Sequence, residues 1–170
     1  MDTLKTSLDW TKDELFSTPF FIYFGIIFLI ASIGFWQLGK TDLAKAYIVP
    51  TLITGLLLMI IGSGLYGNNR VRMKHFEKQY LENPSAFVAS EIMRTKDTLE
   101  EYQLVVFKII PIIIAVSALG IIFLNSPMMR AIFITTIALM IVLLLVDGTA
   151  HARIKDYHQK LLISAEDETF

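Results

Sequence analysis

Two stretches of this chain combine cationic and imidazole side chains in nearly the same order. The sequence reads NNRVRMKH from Asn68 and HARIKDYH from His151, and each stretch follows a long apolar run. Guanidinium and ammonium groups bind phosphate or carboxylate, and imidazole exchanges protons near neutral pH. We interpret these stretches as a surface for lipid head groups or a partner protein. Its candidate residues are Arg70, Arg72, Lys74, His75, Lys78, Arg153, Lys155 and His158.

A metal site is the next chemistry to consider, because Asp147, His151 and His158 share one helical face. Asp147 and His151 are one turn apart and could bind one ion together. His158 lies about 10 Å further along at 1.5 Å per residue, too far to complete that site. The chain has no cysteine and no HExxH motif. We expect no metal and no cofactor, and Asp147 and His151 are only weak ligand candidates.

The elements that position these residues are predicted from four long apolar runs. Hydrophobic residues make up 54% of the 170 residues, an excess over what a soluble core of this size needs. Each run can cross a hydrocarbon core of about 30 Å, which takes roughly twenty helical residues. None shows the strict alternation of a barrel strand, so we predict helices. The predicted spans are residues 19–38, 46–66, 104–124 and 131–150.

The predicted fold class is an all-α integral membrane protein with four transmembrane helices and both termini on one side. Lys and Arg accumulate on the cytoplasmic side of membrane proteins. Here eleven of them flank the side that holds the termini, against three on the other side. We therefore predict a bacterial inner membrane protein with cytoplasmic termini. The formal net charge of −1 gives no global basic field, so no nucleic-acid partner is expected.

The polar segments are predicted to be helical as well. Residues 67–103 read as a helical hairpin that extends the second and third spans and breaks at Asn83-Pro84-Ser85, with Ser85 as a candidate N-cap. Residues 151–170 continue the fourth span as a cytoplasmic helix and tail. Together with the hairpin they are expected to form a cytoplasmic bundle. The two transmembrane hairpins are residues 19–66 and 104–150.

Residues 1–18 are predicted to form an amphipathic helix on the membrane surface. Leu4, Leu8, Thr11 and Leu15 fall on one helical face, with charged residues elsewhere and Trp10 beside them.

Lys108 and Asp147 are the two charges placed nearest to the membrane interior. A charge at that depth faces the bundle, pairs, or extends to the interface. Because the third and fourth spans are antiparallel neighbours, an intramembrane ion pair between Lys108 and Asp147 is one prediction, and extension of Lys108 to lipid phosphates is the alternative. A weak parallel repeat with an offset of 83 residues also places His75 on His158.

These patterns favour a non-catalytic, membrane-anchored interaction or assembly protein that binds lipid head groups or a partner protein and could associate with itself. An oligomeric channel or membrane-disrupting effector is an alternative, in which Gly55 and Gly62 would form the contact between subunits. A membrane enzyme acting on a lipid phosphate, with the Arg and His residues and Asp147 in its site, is a further alternative. No span carries a central acidic residue, which argues against a cation-coupled transporter.

Overall fold

The computed structural model describes residues 3–167, and this part of the chain is helical almost throughout. Four helical stretches in it are long and apolar enough to cross a membrane, which confirms the prediction of four spans at that level. A π-helical turn, Val105–Ile109, joins the fifth helix to the sixth. The α-helices are α1 Thr3–Ser17, α2 Pro19–Leu38, α3 Asp42–Ala46, α4 Ile48–Glu82, α5 Pro84–Leu104, α6 Ile110–Phe123 and α7 Pro127–Asp167.

Proline marks three helix starts, as expected where the amide has no helical partner. Pro19, Pro84 and Pro127 are the first residues of α2, α5 and α7. The break between α4 and α5 lies at the predicted Asn-Pro-Ser sequence. Its cap is Asn83, whose side-chain oxygen accepts a hydrogen bond from the Ala86 amide at 3.0 Å. The N-cap is therefore Asn83 and not Ser85, because Pro84 already occupies the first helical position.

The π-helical turn has a local cause in Pro111. Proline lacks an amide hydrogen and its ring crowds the carbonyl four residues earlier, here that of Phe107. The Ile110 amide instead donates to the carbonyl of Val105, five residues back. Because the turn holds one extra residue, the helix after it is rotated about its axis relative to the helix before it. Lys108 lies in this turn with an exposed side chain.

Two hydrophobic cores stack along the long helices α4 and α7. The first core is entirely apolar, with Phe21, Leu58, Val142 and Val146 at its centre. We call the helices around it (α2, residues 48–66 of α4, α6 and residues 127–150 of α7) the apolar bundle. The second core contains Trp10, Phe76, Phe87, Val88, Ile154, Tyr157 and Leu161. We call α1, residues 67–82, α5 and residues 151–167 the polar bundle.

Helix α1 packs into the polar bundle through a small and polar face. Its buried residues are Thr3, Ser7, Trp10, Thr11 and Ser17, and it contacts α4 and α7. Of the predicted face, Thr11 and the adjacent Trp10 are buried and Leu4 and Leu8 pack half-buried against the core, while Thr3, Ser7 and Ser17 were not predicted. The Ser7 and Thr11 hydroxyls donate to carbonyls four residues earlier, each at 2.9 Å. Small side chains with satisfied hydroxyls allow close approach of α1 to its neighbours.

Glycines hold α2 against α4 in the apolar bundle. A Cβ atom on Gly25 would lie 3.0 Å from the carbonyl oxygen of Gly55, and one on Gly55 would lie 2.9 Å from that of Gly25. One on Gly62 would lie 2.7 Å from Ile22 Cγ1. Small residues permit this backbone approach, and the resulting van der Waals contacts drive helix association in lipid. Gly55 and Gly62 therefore pack within the chain, which opposes their assignment to a contact between subunits.

Substitution of Gly62 by alanine should lower stability. The added methyl would contact Ile22 and Phe21 on α2 at 2.7–3.0 Å, and overpacking of this kind costs about 1–3 kcal/mol. We expect a lower free energy of unfolding in detergent, measured by circular dichroism. Gly64→Ala is the control, because nothing lies within 4 Å of its Cβ position on the same helix. Equal stability of the two variants would contradict the packing assignment.

Candidate functional site

The predicted basic residues divide into two groups according to their exposure. Five are exposed on α4 and α7, and we call them the outer collar: Arg70, Lys74, His75, Lys78 and Lys155. Within the outer collar, Lys78 approaches the Glu82 carboxylate at 3.8 Å. The other three, Arg72, Arg153 and His158, are half-buried and face neighbouring helices. Sequence spacing alone placed all eight on one surface, and the packing of the polar bundle separates them.

A stacked pair of aromatic rings joins α1 to α7 at the centre of the polar bundle. The Trp10 and Tyr157 rings lie 4.8 Å apart at an interplanar angle of 7°. Two guanidinium groups lie over the Trp10 ring, at 4.8 Å for Arg94 and 5.6 Å for Arg72. Both distances are within the range of cation–π attraction. Trp10 is only 7% exposed, and its indole Nε1–H has no hydrogen-bond partner in the described part of the chain.

A buried hydrogen-bond network extends from this stack to α5. The Tyr157 hydroxyl lies 2.8 Å from Ser7 Oγ and 3.0 Å from Glu91 Oε2, so it shares its proton between them. The Glu91 carboxylate also accepts two hydrogen bonds from the Arg94 guanidinium, at 2.9 and 2.6 Å. Burial, followed by the negative charge of Glu91, raises the pKa of Tyr157 above its ordinary value. The neutral phenol is therefore the form that the folded protein holds.

Arg153 on α7 bonds two residues of α1, whereas Arg72 on α4 bonds a residue of its own helix. Arg153 forms an ion pair with Glu14 at 3.0 Å and donates to Ser17 Oγ at 2.7 Å. Arg72 donates to Asn69 Oδ1 at 3.1 Å and forms no ion pair among residues 3–167. Burial, followed by the like charge of Arg94, lowers the pKa of Arg72 below its ordinary value. Arg72 thus carries a partly desolvated charge without a carboxylate partner.

A polar cavity of about 170 Å³ lies where the two bundles meet, and we call it the junction cavity. Its apolar wall contains Phe21, Leu65, Val146, Ala150 and Ile154. Its polar wall contains Trp10, Glu14, Asn69, Arg72, Tyr102 and Asp147. Such a mixed lining suits a ligand that has both a charged and an apolar part. No histidine or cysteine contributes to the lining in the described part of the chain.

The three histidines lie in different surroundings and do not form one site. His158 Nδ1 lies 2.7 Å from Thr95 Oγ1 on α5. The His151 ring packs edge-on against Phe107 and Tyr102, with centroid distances of 4.9 and 5.8 Å. His75 is exposed in the outer collar. No group of three metal-ligating side chains occurs among the described residues, and the repeat that aligns His75 with His158 does not give them equivalent surroundings.

The predicted ion pair between Lys108 and Asp147 is not formed in the described part of the structure. Neither residue takes part in an ion pair within 4.0 Å in the range 3–167. Lys108 is exposed on the π-helical turn, whereas Asp147 lines the junction cavity. The two side chains therefore face different environments, and the extra residue in the turn accounts for the changed face of Lys108.

Sequence reasoning missed the centre of the site, which consists of Trp10, Ser7, Glu91 and Arg94. Two signals were present: a tryptophan within a polar segment, and an acidic and a basic residue three positions apart on the hairpin. Neither signal identifies a partner 60 or more residues away, so only the packed structure joins them.

Comparison with protein family models, curated proteins and solved structures finds no match to this chain.

Removal of the Tyr157 hydroxyl should lower stability and change its pH dependence. Tyr157→Phe leaves Ser7 and Glu91 without this donor, at a cost of about 1–3 kcal/mol at pH 7. An unfolded tyrosine ionises near pH 10, whereas folded Tyr157 keeps its proton. Wild-type stability therefore falls as pH rises above about 10, by up to 1.4 kcal/mol per pH unit for this group. The Tyr157→Phe variant should lack the part of this fall in stability that comes from Tyr157.

The measurement is denaturant unfolding in detergent between pH 7 and pH 11. Tyr80→Phe is the matched control at pH 7, because Tyr80 packs on Phe87 and its hydroxyl bonds no described residue. Identical pH profiles for the wild-type protein and Tyr157→Phe would refute the assignment of the phenol to the network.

Proposed function

We propose that this protein is a non-catalytic, membrane-anchored binding protein whose outer collar binds acidic lipid head groups. The observation that supports this proposal is the exposure of the five collar side chains, of which Arg70 and Lys155 lie four and five residues beyond the predicted ends of two spans. Cations near an anionic leaflet are attracted by about 1 kcal/mol each. The collar would hold the polar bundle at a defined height above the bilayer. An acidic partner protein is the alternative occupant of the same surface.

The other two functions have less support. A channel assembled through Gly55 and Gly62 would need those glycines at the surface, and they pack against α2 instead. A lipid-phosphate enzyme would need His75, His158 and Asp147 in one site. His75 is instead exposed, and His158 bonds Thr95. Self-association through another surface stays a prediction. The proposal places the protein in a bacterial inner membrane with the polar bundle in the cytoplasm, in keeping with the distribution of Lys and Arg.

Topology can be tested with single cysteines, because the chain contains none. Ser85→Cys lies at the tip of the polar bundle, and Ser126→Cys lies in the connection between α6 and α7. We expect a membrane-impermeant maleimide to label Ser126→Cys in spheroplasts, and to label Ser85→Cys only after permeabilisation. Both positions are exposed, so accessibility within the fold is matched. Labelling in the opposite order would place the polar bundle outside the cytoplasm.

Collar binding can be tested by removing two charges close to the membrane. Arg70→Gln with Lys155→Gln should reduce retention of phosphatidylglycerol relative to phosphatidylethanolamine, by up to about 2 kcal/mol at low salt. Native mass spectrometry of protein released from mixed nanodiscs measures that ratio. Added salt should reduce the difference between wild type and variant, because it screens exposed charges.

The control removes two exposed charges further from the spans. The control variant combines Lys96→Gln and Lys160→Gln. Lys96 and Lys160 lie eight and ten residues beyond the predicted span ends, about 12–15 Å along a helix. That exceeds the Debye length of about 8 Å at physiological ionic strength. A lipid ratio that is unchanged in the collar variant would favour an acidic protein as the occupant.

A further inference from the structure

One cation and one anion that line the junction cavity have no ion-pair partner among the described residues. Four ionic side chains line it: Glu14, Arg72, Arg94 and Asp147. Glu14 is paired with Arg153, and Arg94 is paired with Glu91. Arg72 and Asp147 remain, and neither forms an ion pair with the other or with any described residue. Both side chains are half-buried, and a charge taken partly out of water is stabilised by a complementary group.

The neutral polar groups of the cavity show the same deficit. The buried Trp10 indole N–H has no acceptor. The Tyr102 hydroxyl forms no hydrogen bond with the described residues, although its ring packs against His151. Arg72 can only donate, so it calls for an acceptor such as an oxyanion. Asp147, when ionised, can only accept, so it calls for a donor such as an ammonium group.

We propose that the junction cavity binds a zwitterionic group in which an oxyanion and a primary ammonium are joined by a short chain. The oxyanion would bind Arg72, which lies over the Trp10 ring, and the ammonium would bind Asp147. A phosphoethanolamine group has this chemistry, either as a lipid head group or as a soluble molecule. This site is separate from the outer collar, and its occupancy does not depend on the proposed function.

Size and position fit such a ligand. The volume is about 170 Å³, comparable to an engineered cavity of about 150 Å³ that accepts benzene. The apolar wall adjoins the core of the apolar bundle, since Phe21 and Val146 belong to both. Leu65, on the same wall, is 40% exposed. A lipid could therefore place its head group in the cavity while its acyl chains stay beside the apolar bundle.

Fluorescence of Trp10 offers a direct measurement of binding. The chain has two tryptophans, and Trp36 is 70% exposed near the end of α2 that lies away from the cavity. In a Trp36→Phe background, Trp10 is the sole tryptophan and reports the cavity. We expect its emission to change saturably when the purified full chain is titrated with phosphoethanolamine in detergent, or when phosphatidylethanolamine replaces phosphatidylcholine in nanodiscs. Phosphatidylcholine is the discriminating lipid, because its quaternary ammonium cannot donate a hydrogen bond to Asp147.

Two variants separate the two halves of the ligand. Arg72→Gln should weaken both phosphoethanolamine and inorganic phosphate by about tenfold or more, as expected when a charge-assisted contact is lost. Asp147→Asn is nearly isosteric and should remove the preference for phosphoethanolamine over inorganic phosphate while leaving phosphate binding intact. Lys96→Gln, an exposed cation on α5 outside both the outer collar and the cavity lining, is the control and should bind as wild type. Circular dichroism verifies that each variant is folded.

The titration with phosphoethanolamine and the exchange of lipids in nanodiscs together identify the source of the ligand. Response to phosphatidylethanolamine nanodiscs with weak response to the soluble compound identifies a lipid, and the reverse identifies a soluble ligand. The proposal is overturned if Trp10 emission responds to neither probe, or if folded Arg72→Gln and Asp147→Asn both bind as wild type. Loss of phosphatidylglycerol retention in the collar variant would leave these results unchanged, so the two proposals fail separately.

Discussion

The stack of Trp10 on Tyr157 is the contact on which the polar bundle depends. It joins the first described helix to the last across nearly the whole chain, with ring centroids 4.8 Å apart. Around it, the Tyr157 hydroxyl, the Glu91 carboxylate and the Arg94 guanidinium bond one another in a buried setting. In such a setting each polar group stabilises the fold only while its partner is present. The stack therefore determines where α1 lies, and α1 supplies one side of the junction cavity.

A second constraint comes from the two environments that α4 and α7 traverse. Each of these helices passes from an apolar bundle held by close van der Waals packing to a polar bundle held by aromatic and ionic contacts. In lipid the hydrophobic effect gives little force between helices, so glycines such as Gly25 and Gly55 are needed for close approach. Outside lipid, burial of large aromatic rings is effective. Where the two bundles join, charged side chains lie beside an apolar wall.

The order of the spans, their approximate bounds and the break at Asn83-Pro84 could be read from the sequence, because apolar run length and proline are local signals. On α1, Thr11 and Trp10 of the predicted face are buried, whereas the burial of Ser7 was not predictable, because its partner Tyr157 lies 150 residues away. Lys108 and Asp147 form no ion pair, and the turn at Pro111 changes the face on which Lys108 lies. The candidate site was only partly predictable. Of its basic residues, Arg72 and Arg153 turn inward while Arg70 and Lys155 stay exposed.

The sequence by itself determined an all-helical chain with four stretches that can span a membrane, since hydropathy and helical period depend only on neighbouring residues. It also determined that cations gather at one end of those stretches. Tertiary structure alone decided which cations are paired and which line a cavity. Partners such as Ser7 and Tyr157 are 150 residues apart, and the choice among many possible partners depends on how the helices pack. Packing, not spacing, left Arg72 and Asp147 unpaired across one cavity.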